Sequence, residues 1–119
     1  MANNLEFSIK VDLKSHSDEV MQALNAAEAR ILEMWGIKAQ GYATEYAPVD
    51  TGNLRSSIGY KTDPSNDIMY VGTNVEYAPY QEFGTYKMKA HPFLKPALEK
   101  HLSEYEDILI SETAKELGD

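Results

Sequence analysis

Three histidines, His16, His91 and His101, and one Asp-Thr-Gly turn at Asp50–Gly52 are the residues whose types could do chemistry. Histidine changes charge near neutral pH and is the commonest metal ligand. A zinc site, however, repeats its ligands at short spacing, as in H-E-x-x-H. The three histidines are scattered without such a pattern and the chain has no cysteine, so neither a metal site nor thiolate chemistry is expected. Asp-Thr-Gly also occurs in aspartic-protease sites, where two carboxylates share a proton. Here it follows Ala47-Pro48-Val49 at a helix end, which favours a turn or cap role for Asp50. The sequence contains no G-x-G-x-x-G, P-loop or G-x-S-x-G, and so no cofactor motif. An acid–base or hydrolytic enzyme would have to use Asp50 with Glu82 or His91, converging in one pocket with shifted pKa values.

The densest signal lies in Tyr77–Pro96, YAPYQEFGTYKMKAHPFLKP. Tyr77 to Phe83 has room for two helical turns, with Pro79 early, where a missing N–H does little harm. Gly84 stands where a left-handed residue ends a helix. The spacing of Tyr77, Tyr80 and Phe83 predicts one aromatic stripe, on an element too short to persist unless it docks. Past Thr85 the apolar period vanishes, and Lys87, Lys89 and His91 alternate with Met88 and Ala90. That pattern predicts a loop ordered by outside contacts. Pro92 and Pro96 flank Phe93-Leu94-Lys95, predicting a tight turn and then a helix that begins at Pro96. Upstream, Pro48 stops a helix, and Asp50 or Thr51 is available to cap the short run Asn53–Ser57. Arg55 is placed for a salt bridge to Asp50 or Glu82, or for a subunit contact.

These residues need elements to position them. Phe7, Ile9, Val11 and Leu13 alternate with polar residues and predict a strand. Ser17–Tyr46 follows with Val20, Met21, Leu24, Ala27, Ile31, Met34, Trp35, Ala39, Tyr42 and Tyr46 at helical spacing. An unbroken helix there spans about 45 Å, long for so small a domain. Gly36 and Gly41 weaken its second half, which predicts a bend or outside support. Ile58–Thr62 and Ile68–Thr73 read as a hairpin around the loop Asp63–Asp67. Leu94, Leu98, Leu102, Tyr105, Ile108, Leu109 and Leu117 predict an amphipathic helix that Gly118 ends. The predicted class is α+β: a small antiparallel sheet, made of the N-terminal strand and the hairpin, packed against two long helices.

At 119 residues the chain fits one domain, residues 1–119, able to bury about two-thirds of its unfolded surface. No basic–apolar leader follows Met1 and no apolar run reaches membrane length, so a soluble intracellular protein is expected. The net charge of −8 opposes tight nucleic-acid binding, which needs a basic footprint. Eight tyrosines would suit base stacking, but Tyr42, Tyr46, Tyr77 and Tyr80 fall at helical spacings that suit packing. Charge is uneven: Glu99–Asp119 holds seven acids and two lysines, whereas Lys87–Lys95 holds three lysines, His91 and no acid.

Three blocks in order, APVDTGNLRSSI, YVGTNVEYAPYQEFGT and KMKAHPFLKPAL, resemble the HK97 gp10-like family of tailed-phage neck and tail-completion proteins. They cover Ala47–Leu98, and the flanking strand and helices suit the family's layout. The pattern carried over is Pro48, Asp50, Thr51, Gly52, Leu54, Arg55 and Ser57, then Gly72, Tyr77, Ala78, Glu82, Gly84 and Thr85. It ends with Pro92, Phe93, Leu94, Pro96 and Ala97. Three positions depart from it: Asn53 where a basic residue is common, Gln81 where an aliphatic is usual, and His91 where arginine often precedes Pro-Phe. Any phosphate or carboxylate contact at His91 is then weaker, because arginine is always charged.

The resemblance implies a structural virion assembly protein, not an enzyme, and no cofactor. It implies copies assembling as a ring around the DNA channel, compatible with a monomer in isolation. The implied neighbours are head-closure or connector and tail-terminator proteins, with DNA passing through untethered and no membrane involved. The implied location is the host cytoplasm during assembly, then the virion neck or tail. Asp50, Arg55, Tyr77, Tyr80, Glu82, Phe83, Lys87, Lys89, His91 and Phe93 are the candidate contact residues. Pro48, Thr51, Gly52, Gly84, Thr85, Pro92 and Pro96 form the structural part of the motif. Besides the enzyme, a monomeric binding module is the rival; it requires a preformed apolar cleft under Tyr77–Phe83.

Overall fold

The computed structural model describes residues 7–12, 18–48 and 52–118. The alternating N-terminal segment forms strand β1 (Phe7–Asp12), and the hairpin forms β2 (Gly59–Asp63) and β3 (Ile68–Thr73). β3 lies centrally in the order β1-β3-β2, antiparallel to both neighbours, with Phe7 opposite Thr73 and Gly59 opposite Gly72. Between β2 and β3, Pro64–Asn66 makes one 3-10 turn and Asp67 takes left-handed angles (φ 59°). The Asp63 carboxylate accepts from Ser65 and Asn66 across that turn, which holds its pKa below the usual carboxylate value. Met69, Val71 and Thr73 of β3 are buried, while Ile68 and Tyr70, alternating with the first two, are half-buried and Gly72 has no side chain to expose. This is the expected period of a sheet covered on one face.

Helix α1 (Asp18–Tyr46) runs unbroken across that covered face, and α5 (Leu102–Glu116) lies along it on the side away from the sheet. Short helices fill the connections: α2 (Gly52–Ser57), α3 (Ala78–Phe83) and α4 (Leu94–Glu99). The protein is therefore α+β, as expected. Because α1 has partners on both sides, its buried arc is wider than one apolar stripe. Ala23, Leu32 and Ala43 are buried along with Leu24, Ala27, Ile31, Trp35 and Ala39, whereas Met21 and Met34 are exposed. Trp35 is buried; its indole N–H donates to the Tyr105 carbonyl (3.0 Å) and its ring meets that of Tyr105 edge-on. The molecule measures 52 × 25 × 21 Å, and its radius of gyration is 15.7 Å. A compact chain of this length is expected near 13.5 Å, roughly, so the long helix draws the molecule out.

Three sequence expectations need correction. α1 continues through both glycines as one helix, and Gly36, expected as a weak point, is a contact point. The Tyr60 ring lies so close that a Cβ there would sit 2.1 Å from Tyr60 Cδ2. Tyr60 then hydrogen-bonds Glu33 one turn back. The C-terminal helix, secondly, is two helices with a break at Lys100–His101. The break resets the helical phase, so that Leu102 is exposed and Tyr105, Ile108, Glu112 and Thr113 face inward. Thirdly, α4 begins at Leu94, which puts Pro96 third in the helix. Its missing N–H remains in the first turn, where it has no intrahelical partner to lose.

Candidate functional site

The stretch Tyr77–Pro96 is organised by one carboxylate. α3 docks through Ala78 and Glu82, one turn apart and both buried, and not through an aromatic stripe. Glu82 Oε1 accepts the backbone N–H groups of Phe93 and Leu94, and Oε2 accepts that of Lys95, all at 2.9 Å. These are donors at the start of α4 with no partner inside the helix. A charged acceptor there satisfies them and opposes the helix dipole favourably. Phe93, fully buried, anchors the same corner in the core. The His91 N–H donates to the Gln81 carbonyl (2.7 Å) beside it.

Between these two stapled ends, Gly84 (φ +75°) lets the chain fold back on α3. A Cβ at Gly84 would meet the Met88 carbonyl oxygen at 2.7 Å and the Ala90 nitrogen at 2.8 Å. Thr85 closes the following turn: its N–H donates to the Met88 carbonyl (2.8 Å), and its hydroxyl oxygen accepts from the N–H groups of Lys87 and Met88. The loop is thus hydrogen-bonded within itself, a correction to the expectation that only outside contacts order it. Tyr80, Phe83 and Tyr86 face outward, and Lys87 Nζ lies 5.5 Å from the Tyr86 ring centre.

A second cluster joins the end of α1 to α5. Glu104 Oε1 accepts from the Tyr42 hydroxyl (2.5 Å) and the Lys38 ammonium (3.2 Å). His101 Nδ1 is 2.9 Å from Glu104 Oε2, and its Nε2 is 2.8 Å from the Tyr46 hydroxyl. A neutral imidazole protonated at Nδ1 satisfies both contacts, donating to the carboxylate and accepting from the phenol. The His101 ring stacks on Tyr42 with centres 3.5 Å apart. The Tyr42, His101 and Lys38 hydrogen bonds pull Glu104 down to about 2, and the Glu104 bond, with burial, pushes Tyr42 up to about 12. Next to this cluster an open pocket of about 320 Å³ is lined by Tyr46, Pro92, Lys95, Pro96, Glu99 and Lys100.

Residues 5–84 match the HK97-gp10-like family, described as a bacteriophage tail component. The chain belongs to that family. No curated protein and no solved structure matches it. The first two motif blocks, all but the final Thr85, fall within the matched residues, while Lys87–Leu98 lies beyond them.

In this HK97-gp10-like chain the described motif residues mainly fix backbone. Arg55 Nε donates to the Thr44 carbonyl (3.1 Å), tying α2 to the end of α1, and Glu82 is occupied by α4 and not by Arg55. Ser57 donates to the Leu54 carbonyl and meets the buried Thr73 hydroxyl, which accepts from the Val75 N–H. Tyr77 packs half-buried against the core. Lys87, Lys89, His91 and Pro92 are exposed. Asp50, Thr51 and His16 lie outside the described residues, as does the expected cap of α2. None of Tyr77–Phe83, under which a binding module would need its cleft, lines the pocket at Tyr46 and Pro96. The Tyr42–His101–Glu104 cluster escaped sequence reasoning. The signal available was two same-face pairs, Tyr42/Tyr46 and His101/Glu104, with nothing local to join them. Among the described residues, no three metal-ligating side chains stand together and no helix is long and apolar enough to cross a membrane.

Proposed function

We propose that this chain is a structural neck or tail-completion subunit of a tailed phage or prophage, without enzymatic activity. Copies form a ring around the DNA channel between head-closure and tail-terminator proteins, and help join the filled head to the tail. One observation carries the reading. Glu82, one of the two partners that the acid–base alternative gives to Asp50, has both oxygens committed to three backbone N–H groups. Tyr80, Phe83, Tyr86, Lys87 and Lys89 of the same stretch face outward instead. A rigid corner that displays aromatics suits protein contact better than turnover. The net charge of −8 suits a channel through which DNA passes without being gripped. Assembly would take place in the host cytoplasm and end in the virion.

Deleting the gene in an inducible phage and imaging the lysate tests this. Filled heads and separate tails of mature length are expected. Normal infectious virions would overturn the reading.

A further inference from the structure

Two exposed patches of opposite character lie on different parts of the molecule. The first is the corner after α3, where Tyr80, Phe83 and Tyr86 are 56%, 68% and 94% exposed. Lys87 and Lys89 are exposed beside them, and no acid occurs from Gly84 to Leu98. The turn that presents Tyr86 is closed by Thr85 and backed by Gly84, so its display requires little further ordering on binding. The second patch is the outer face of α5. There Leu102, Ile110 and Leu117 are 57%, 65% and 44% exposed. At 100° per residue Leu102 and Ile110 lie roughly 80° apart with exposed Glu106 between them, buried Thr113 marks the side toward the core, and Leu117 caps the helix just past its end. The segment containing this stripe, Glu99–Asp119, is the acidic one.

The stripe starts beside His101, near Tyr46, and runs along α5 toward the middle of α1, so most of it lies away from the aromatic corner. The aromatic corner runs into Pro92 and Lys95, which share a pocket wall with Tyr46, whereas the far half of α5 is held to Arg30 through Glu112 and Glu116. Arg30 and Tyr46 are about 24 Å apart along the helix.

We propose that the aromatic–basic corner of one copy docks on the acidic, aliphatic face of α5 of the next copy. The partner is a second copy because each patch supplies what the other lacks: aromatic edge for aliphatic stripe, ammonium for carboxylate. Since the two surfaces differ, the contact is head-to-tail, the kind that closes into a ring or runs on as a filament. The inference rests on the ring-forming role proposed above and names the surfaces that would build it.

The chain has no cysteine, so single-cysteine variants report the contact cleanly. Tyr86→Cys and Ile110→Cys, both at exposed positions, are mixed under mild oxidation. The expected product is the mixed disulfide dimer of the two variants, in excess over its statistical share. It should be lost when Lys87→Glu and Lys89→Glu are added to the Tyr86→Cys chain. It should also weaken at about 1 M salt, where the screening length falls to roughly 3 Å. A statistical mixture, a preference for either homodimer, or no cross-link at all would overturn the proposal. So would a mixed dimer indifferent to the charge reversals while those reversals abolish binding to a labelled DNA duplex. Failure here with separated heads and tails in the deletion sinks this interface alone, and normal virions sink the neck reading alone.

Discussion

Glu82 is one side chain serving three backbone donors, so its removal should reach well beyond its own contacts. Glu82→Ala leaves the N–H groups of Phe93, Leu94 and Lys95 without their acceptors at a largely buried corner. Each unsatisfied buried donor costs about 1–3 kcal/mol, less where water enters, so a loss of at least about 3 kcal/mol is expected. Urea unfolding at neutral pH measures it. Glu82→Gln keeps one acceptor oxygen but turns an amide toward the remaining donor, and should fall between wild type and alanine. A loss below about 1 kcal/mol for the alanine variant would show that the cap is not what holds α4. The role was only partly legible. The sequence marks Glu82 as a motif residue, and an acid near a Pro-rich turn suggests chemistry or contact as readily as capping. The N–H groups it serves lie more than ten residues away, a separation local patterns do not encode. Gly84 was legible, because a glycine closing a short helix ahead of an unpatterned tract has a backbone reason to be there.

At the scale of elements, Gly36 and Gly41 separate what periodicity can and cannot say. Both read as weak points in a long helix, and both lie in a continuous one. A methyl at Gly41 would have nothing within 4 Å, while at Gly36 it would enter the Tyr60 ring. Helix propensity then acts alone at Gly41, and Gly41→Ala should stabilise by up to about 1 kcal/mol. At Gly36 the same propensity gain opposes overpacking worth about 1–3 kcal/mol, so Gly36→Ala should be net destabilising. Thermal unfolding of the two variants tests the opposite signs; stabilisation by both would mean that Tyr60 swings away freely. The sheet, its hairpin and the span of α1 were legible because alternation and helical period are local signals. The break between α4 and α5 was not, since Leu98, Leu102 and Tyr105 fit one uninterrupted helix. What decides the break is tertiary. Tyr105 reaches back to the Ala97 carbonyl (2.8 Å), and His101 is drawn to Tyr46 and Glu104.

The whole molecule depends on α5 staying docked along α1, and Trp35 lies inside that contact, bonded to the Tyr105 carbonyl. As the sole tryptophan it reports docking by its emission alone. Trp35→Ala should cost about 3–5 kcal/mol, the usual range for truncating a large buried aromatic. Urea titration followed by circular dichroism measures that loss, and a cost near zero would mean α5 is held elsewhere.

The pH dependence of the same signal isolates the polar half of the contact. Glu104 is lowered from 4.5 to about 2 by the hydrogen bonds of Tyr42, His101 and Lys38. A carboxylate whose folded pKa is depressed adds stability above its unfolded value, and loses it as pH falls through the folded one. That contribution is complete above about 4.5 and should fade between there and about 2. Tyr42 behaves oppositely in pH. Its pKa rises from 10.0 to about 12, so the folded state prefers the neutral phenol, and stability is lost as pH climbs through that interval. The Tyr42–Glu104 hydrogen bond is the largest contributor to both limbs, and Tyr42→Phe should diminish them together while leaving Trp35 buried at neutral pH. Glu104→Gln should flatten the acid limb and let Tyr42 ionise nearer its ordinary value. Mid-range urea sharpens the measurement, because small stability changes then become large changes in folded fraction. If Trp35 emission in that urea shows the same acid and alkaline profile in wild type and Tyr42→Phe, then carboxylates and phenols elsewhere set the pH limits. The Tyr42–Glu104 bond would in that case be surface decoration.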